Sequence, residues 1–318
     1  MNKTERAPTA TQASLMLLLA TMTWGAAFPV SKFIMADMDV LSMTLLRYLS
    51  AVPIYLLVLR WQEGPSALQA GGKAWRLFGL GALGFAGFNL LMFYGVAMSR
   101  PEFGAIVMAL QPLIAVLIGW ARSGQRPPAR SFVALALAVT GVVLLTTDGH
   151  VERLVQHAAV LPTLMMIAGG TCWVLYSMGA AHFQGWSSLR YTALTSTGGA
   201  LALVIAWCVS LGLGGVYLPT ADRLPSLLPA LLFVTLLSAV IAVLSWNKGL
   251  RRLGAQRGML FINVVPLTAL LIGVLRGQAF GGWEVLGAVL VLASLLLNQL
   301  SFGNRPPLLP GKLAQARS

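Results

Sequence analysis

Three amides, Asn89, Gln111 and Asn263, stand inside apolar runs. At membrane depth such a group costs free energy unless it bonds to another helix, faces water or meets a polar solute. Ring and thioether side chains recur near them at helical spacing. Phe93 follows Asn89 by four residues and shares its face, with Tyr94 beside it, and Met108 lies one turn before Gln111. Trp24 and Phe28 are four apart, Trp173, Tyr176 and Ser177 form a second stripe, and Ser245 stands next to Trp246. Amides and hydroxyls suit the polar end of a small solute, and rings suit its apolar body. These thirteen residues are the expected substrate-binding set. The same rings also suit a headgroup belt, and the amides also suit bonds between helices, worth about 0.6 kcal/mol each.

The set contains no catalytic machinery. The sequence has no HExxH, no Asp-rich motif and no paired carboxylate. His150, His157 and His182 are scattered, and Cys172 and Cys208 lack metal-site spacing. No catalytic residue, metal or cofactor is expected. All nine Asp and Glu residues fall in expected loops or termini, whereas ion-coupled carriers keep a carboxylate at membrane depth. The expected chamber is therefore neutral, aromatic and rich in amides. It suits a zwitterionic amino acid moved downhill without ion coupling. Arg47 lies close enough to one surface to snorkel, so Arg47 and its counterpart Arg190 are left out of the set, and Lys248 is placed at the interface.

Long apolar elements must position these groups. Of 318 residues, 57% are hydrophobic and only 10% are charged, against about 25% charged in soluble domains. The apolar runs approach the ~20 residues that cross ~30 Å of hydrocarbon, and they lack the alternation of barrel strands. The fold class expected is an all-α integral membrane protein of ten transmembrane helices. The spans are expected near 13–34, 40–60, 75–98, 103–121, 131–147, 158–181, 189–211, 226–248, 257–275 and 283–302. Tails are expected at 1–12 and 303–318. The net charge of +13 comes from basic residues in short loops rather than from a patch interleaved with aromatics, which excludes nucleic-acid binding. With the amino terminus in the cytoplasm, sixteen basic residues fall inside and five outside, with Arg47 counted on neither side. Both termini are therefore expected to be cytoplasmic, in the inner (plasma) membrane. The partners expected are a small-molecule substrate and the lipid bilayer; the sequence does not specify an oligomeric state.

One spacing pattern occurs twice. Gly95, Gly104, Pro112 and Gly119 recur 154 residues later as Gly249, Gly258, Pro266 and Gly273. Trp24 has a counterpart in Trp173, Leu46-Arg47-Tyr48 in Leu189-Arg190-Tyr191, and Gly124-Gln125 in Gly277-Gln278. Glycine and proline hold backbone geometry, so shape was duplicated. Five spans per half is an odd number, so the second half (158–302) must cross the membrane upside down relative to the first (13–147). The charges agree. Arg122, Arg126 and Arg130 in one loop face only Arg276 in its equivalent, while Arg100 and Glu102 face Arg251, Arg252 and Arg257.

These blocks, with the TWGAAFPVSK stretch at 23–32, resemble the drug/metabolite transporter superfamily. The ten-helix EamA-type members are nearest, and among them the YddG-type aromatic amino-acid exporters. The resemblance covers about residues 12–302 and implies an exporter of aromatic and other neutral amino acids that works by alternating access. A broad drug or metabolite exporter is the alternative within transporters. A polytopic enzyme, such as a lipid-linked transferase, is the alternative of another class. EamA halves commonly carry Gly-Glu before the fifth helix, whereas both copies here read Gly-Gln, at Gln125 and Gln278.

Overall fold

The structure is a computed structural model that describes residues 8–150, 160–254 and 258–302. The tails expected before residue 8 and after 302, with His157, Arg153 and Arg257, lie outside the described residues. Among the described residues every regular element is helical. They are α1 (Ala10–Ile34), α2 (Val40–Glu63), α3 (Ala74–Ala97), α4 (Pro101–Ala109), α5 (Gln111–Ser123), α6 (Ala129–Thr147), α7 (Val160–Gly179), α8 (Ser188–Gly212), α9 (Leu224–Leu253), α10 (Val264–Leu275) and α11 (Gly282–Phe302). Seven are long and apolar enough to cross a membrane, and an eighth span results if α4 and α5 are one broken helix. The regions of α10 and α11 are shorter apolar helices.

Helix starts follow local chemistry. Thr9 accepts from the Gln12 amide while the Gln12 side chain accepts from the Thr9 N–H, a reciprocal cap on α1. Asp39 caps α2 through the Ser42 N–H, and Ser187 caps α8 through Arg190. Gly124, at φ 69°, ends α5 in the left-handed conformation that a Cβ disfavours. Outside the spans, Arg223 forks onto both oxygens of Asp37 at 3.1 Å, and those hydrogen bonds, with the carboxylate charge behind them, raise the Arg223 pKa. The pair is exposed and joins the α1–α2 turn to the start of α9.

Two departures from regular helix recur at the same place in the sequence repeat. α3 carries a π-helical segment at Ala82–Gly87, and α9 carries one at Phe233–Ile241; residues 236–241 are those 154 positions after 82–87. π turns leave ladder bonds slack and concentrate at functional positions. The span expected at 103–121 is instead bent by 43° at Leu110, between α4 and α5. Pro112 lacks the N–H that would have continued the ladder. The equivalent point, 154 residues on, is Val264, where the 3₁₀ turn Met259–Asn263 gives way to α10 just ahead of Pro266.

Packing follows the repeat as well. α1 lies against α9 and α10; α7 lies against α3 and the α4–α5 pair; α2 pairs with α8 and α6 with α11. Glycines set the approach. A Cβ on Gly95 would sit 2.6 Å from the Pro162 carbonyl oxygen and 2.5 Å from Met166 in α7. A Cβ on Gly249 would sit 3.0 Å from the Ala13 carbonyl oxygen and 2.6 Å from Leu17 in α1. Ala13, Leu17 and Trp24 precede Pro162, Met166 and Trp173 by one common offset of 149, so the same contact is made twice. Large apolar side chains such as Leu57, Leu164, Ile205 and Leu271 face outward, as a lipid solvent requires.

Candidate functional site

Of the expected site residues, Trp24 and Asn89 belong to a buried polar chain that joins α1, α2, α3 and α9, and Phe28, Phe93, Trp173, Tyr176 and Trp246 form ring pairs around it. Asn89, 1% exposed, donates to the Tyr48 hydroxyl at 3.0 Å and to the Phe85 carbonyl at 2.9 Å. Its side-chain oxygen accepts from Arg47 Nη1 at 3.3 Å. Arg47 Nη2 donates to Ser238 Oγ at 2.9 Å, and the Ser238 carbonyl accepts from the Trp24 indole at 3.1 Å. Asn89 and Ser238 both lie in or beside a π segment, where the widened turn re-aims side chains.

Arg47 corrects two sequence expectations. It does not snorkel, because it is 8% exposed and bonded to neutral acceptors from two other helices. The site is consequently not neutral. Rings flank it on both sides. Trp24 meets Trp246 at 5.2 Å, and Phe28 meets Phe93 at 6.0 Å. On the other side Trp173 lies 5.2 Å from Phe88 and 5.1 Å from Tyr176, and Phe85 bridges Tyr48 and Tyr176 at 5.2 Å to each.

Other expected residues are placed as follows. Met108 and Gln111 are buried at the α4–α5 bend, and Gln111 Nε2 has no hydrogen-bond partner. Gln111 lies across from Gly170 of α7, where an added Cβ would have space. Asn263 is half-buried at the end of the 3₁₀ turn, and Ser245 is half-buried in α9. Tyr94 is 38% exposed near the end of α3 and joins no ring pair. Ser177 is not brought to the rings. It is exposed and turns its hydroxyl back to the Trp173 carbonyl at 2.8 Å, so helical spacing alone overstated that stripe. Phe85, Phe88, Tyr48, Arg47 and Ser238 were missed. A cation with uncharged neighbours on both sides, as in TLLRYLSAV, and a serine inside an apolar run are the signals that carry the last two.

A second cluster lies at one end of the molecule, and it corrects the expectation that every carboxylate sits in a loop. Glu102 begins α4 and is 1% exposed; Glu284 begins α11 and is 8% exposed. Arg100 pairs with Glu284 at 2.6 Å, lies 3.9 Å from Glu102 and stacks 4.7 Å from the Phe280 ring. Gln278 donates its amide to the Glu102 oxygens at 2.6 and 3.3 Å, in the orientation that satisfies both groups. A glutamate at 278 would set two carboxylates against each other, so glutamine suits this neighbour. At the same end Lys32 Nζ donates to the carbonyls of Val96, Ala97 and Ser99 at 3.1, 2.6 and 3.1 Å. It closes the carboxyl end of α3, where a cation meets the helix dipole.

No group of three or more metal-ligating side chains occurs among the described residues. The arrangement offers recognition of a small solute by rings, amides and one guanidinium.

Comparison with known proteins gives a consistent result. The sequence profile of the EamA-like transporter family matches residues 11–147 and again 161–300. The chain is 30% identical to a protein of Bacillus subtilis (strain 168) named "Uncharacterized transporter YrdR", over 90% of this chain and 91% of that one. It is 26% identical to a protein of Escherichia coli (strain K12) named "Probable amino-acid metabolite efflux pump", over 89% and 93% of the two chains. A solved crystal structure, 19% identical, shares the fold with a TM-score of 0.62 over 93% of this chain and all of that one.

Proposed function

Because this chain belongs to the EamA-like transporter family, we propose that it exports amino acids and related metabolites across the inner membrane by alternating access, with aromatic and other neutral side chains preferred. On this reading the membrane is crossed ten times, with the bent α4–α5 pair counted once. Two five-helix halves of opposite orientation enclose the solute, and both termini are cytoplasmic.

The observation that carries the reading is the doubled contact of Gly95 on α7 and Gly249 on α1. A contact repeated between two halves supports an internal repeat, and on the inverted reading the substrate site lies between them. The Trp24, Asn89 and Trp173 surroundings lie between the halves. The E. coli relative named for amino-acid metabolite efflux supports the solute class.

The two ends differ, and alternating access accounts for the difference. A Cβ on Gly273 would meet Glu102 at 2.7 Å and the Gln278 side chain at 2.9 Å, whereas its counterpart Gly119 has nothing within 4 Å. Gln125, the counterpart of Gln278, is exposed. On the topology read from the charge bias, the closed Arg100 end faces outward and the looser Gly119–Gln125 end faces the cytoplasm. Transport is read as uncoupled, and the buried Glu102 at the closed end is the carboxylate that a proton-gradient test must address.

Purified protein in proteoliposomes tests the reading with a panel of labelled amino acids, nucleosides and cationic drugs, with and without an imposed proton gradient. Amino acids should cross chemically unchanged. Movement of the drugs alone would favour the broader exporter, and chemical conversion of the solute would favour an enzyme. A gradient-driven signal without a solute gradient would establish proton coupling.

A further inference from the structure

We propose that the Arg47–Asn89–Ser238 network is a carboxylate-binding site. Its preferred solute is a monoanionic carboxylic acid with an aromatic or apolar body and a masked or missing amine, chosen over the zwitterionic amino acid. The inference rests on reading this region as the substrate chamber and narrows the solute class proposed above, from amino acids at large to their acylated or deaminated relatives.

A guanidinium cannot shed its proton in a protein. Arg47 therefore carries a full charge about seven residues into α2, nearly sealed from solvent. Its bonded neighbours, Asn89 Oδ1 and Ser238 Oγ, are both neutral. The Tyr48 ring centroid lies 5.7 Å from its guanidinium carbon. Among the described residues no carboxylate pairs with it; the ion-paired carboxylates are engaged elsewhere, Glu102 and Glu284 with Arg100, and Asp37 with Arg223. An unmatched buried charge is strongly unfavourable, so the resting chamber is poised to accept an anion.

The guanidinium is held ready for it. Asn89 is fixed by Tyr48 and Phe85, and the Ser238 backbone is fixed by Trp24. Arg47 Nε has no partner, so part of the planar donor fork is unused, and that fork matches the two oxygens of a carboxylate. The groups that hold it also hold the rings. Trp24 shares Ser238 with Arg47 and packs against Trp246, while Phe85 shares Asn89 and packs on Tyr176. Among the described residues no acidic side chain joins the network to receive an ammonium group. A zwitterion would bring its positive end into a chamber that is already positive; an acylated amino acid or an arylalkanoic acid would bring neutrality.

Ligand-induced thermal stabilisation of the purified protein tests this with 3-phenylpropionate, 3-phenylpropanamide and phenylalanine. These share a ring and chain but are an anion, a neutral amide and a zwitterion. We expect the wild type to be half-stabilised by 3-phenylpropionate at a concentration at least tenfold below that of the other two. In Arg47→Gln the advantage should fall below twofold, and in Arg47→Lys, which keeps the charge and loses the fork, it should be intermediate. Equal stabilisation of the wild type by acid and amide would overturn the proposal, as would no stabilisation by the acid, or full preference retained in Arg47→Gln. If Arg47→Gln does not fold, Arg47→Lys decides: undiminished preference there overturns the role of the fork. Counterflow of the same solutes in proteoliposomes separates the two readings. Acid binding without counterflow sinks the exporter and leaves the anion site; equal counterflow of acid and amide sinks the anion site and leaves the exporter.

Discussion

The Gln278 amide donates to the Glu102 carboxylate at 2.6 Å, and this contact ties the turn before α11 to the first turn of α4. Together with the 2.6 Å pair between Arg100 and Glu284, it draws the two halves of the chain together at one end. These groups lie where an outer gate would have to part.

Replacing Arg100 with Ala should loosen that end. The pair is partly solvated, so its loss is expected to be worth about 1 kcal/mol, enough to shift a two-state equilibrium roughly fivefold. Hydrogen exchange in residues 99–104 and 276–284 should quicken, with α6 unchanged. Unchanged exchange in both segments would mean that the cluster is static.

Lys32 is a helix cap. Lys32→Met would leave three carbonyls near the end of α3 without their charged donor. The expected cost is about 1.5–3 kcal/mol, read as a lower thermal midpoint in detergent. An unchanged midpoint would show that those carbonyls find other donors.

Two glycines should behave oppositely. A Cβ on Gly81 would lie 2.0 Å from the Thr195 carbonyl oxygen of α8, while a Cβ on Gly119 meets nothing. Gly81→Ala should push α3 off α8 and cost about 1–3 kcal/mol. Gly119→Ala should be neutral, or stabilising by up to about 1 kcal/mol from helix propensity. Parallel melting of the two variants checks the pair; equal behaviour would mean that the close approach of α3 and α8 is unimportant.

Substrate preference should respond to the chamber residues. Trp24→Phe removes the indole donor to Ser238, Trp173→Ala opens the ring cluster around Phe88 and Tyr176, and Asn263→Ala removes an amide at the 3₁₀–α10 junction. Each should change the apparent KM for an aromatic solute several-fold, with smaller effects on kcat. Unchanged kinetics in all three would move the site elsewhere.

What could be read from the sequence was what the backbone dictates. Glycines and prolines announce their geometry, so the 154-residue frame leads to positions that hold matched interruptions of the α-helix and matched π segments. Side-chain partners across helices were not legible, because no local signal tells which face of α2 meets α9. The sequence alone therefore reads Arg47 as a snorkelling residue, although Ser238, 191 residues away in sequence, lies 2.9 Å away in space. Glu102 was misplaced for a related reason: a proline one residue earlier looks like a loop, but it is also a favoured first residue of a helix. Ser177 shows the converse, since spacing that puts it near the Trp173 face did not decide which flank is covered.

The opposed orientation of the two halves is the claim on which the transport reading stands, and one labelling measurement reaches it directly. Arg122 and Arg276 are exposed residues at equivalent positions, 154 apart. With Cys172 and Cys208 replaced by serine, Arg122→Cys and Arg276→Cys can be treated in intact cells with a membrane-impermeant thiol reagent. Arg276→Cys should react at once, and Arg122→Cys only after the membrane is permeabilised. Reaction of both from the same side would contradict the inverted halves and the carrier built upon them.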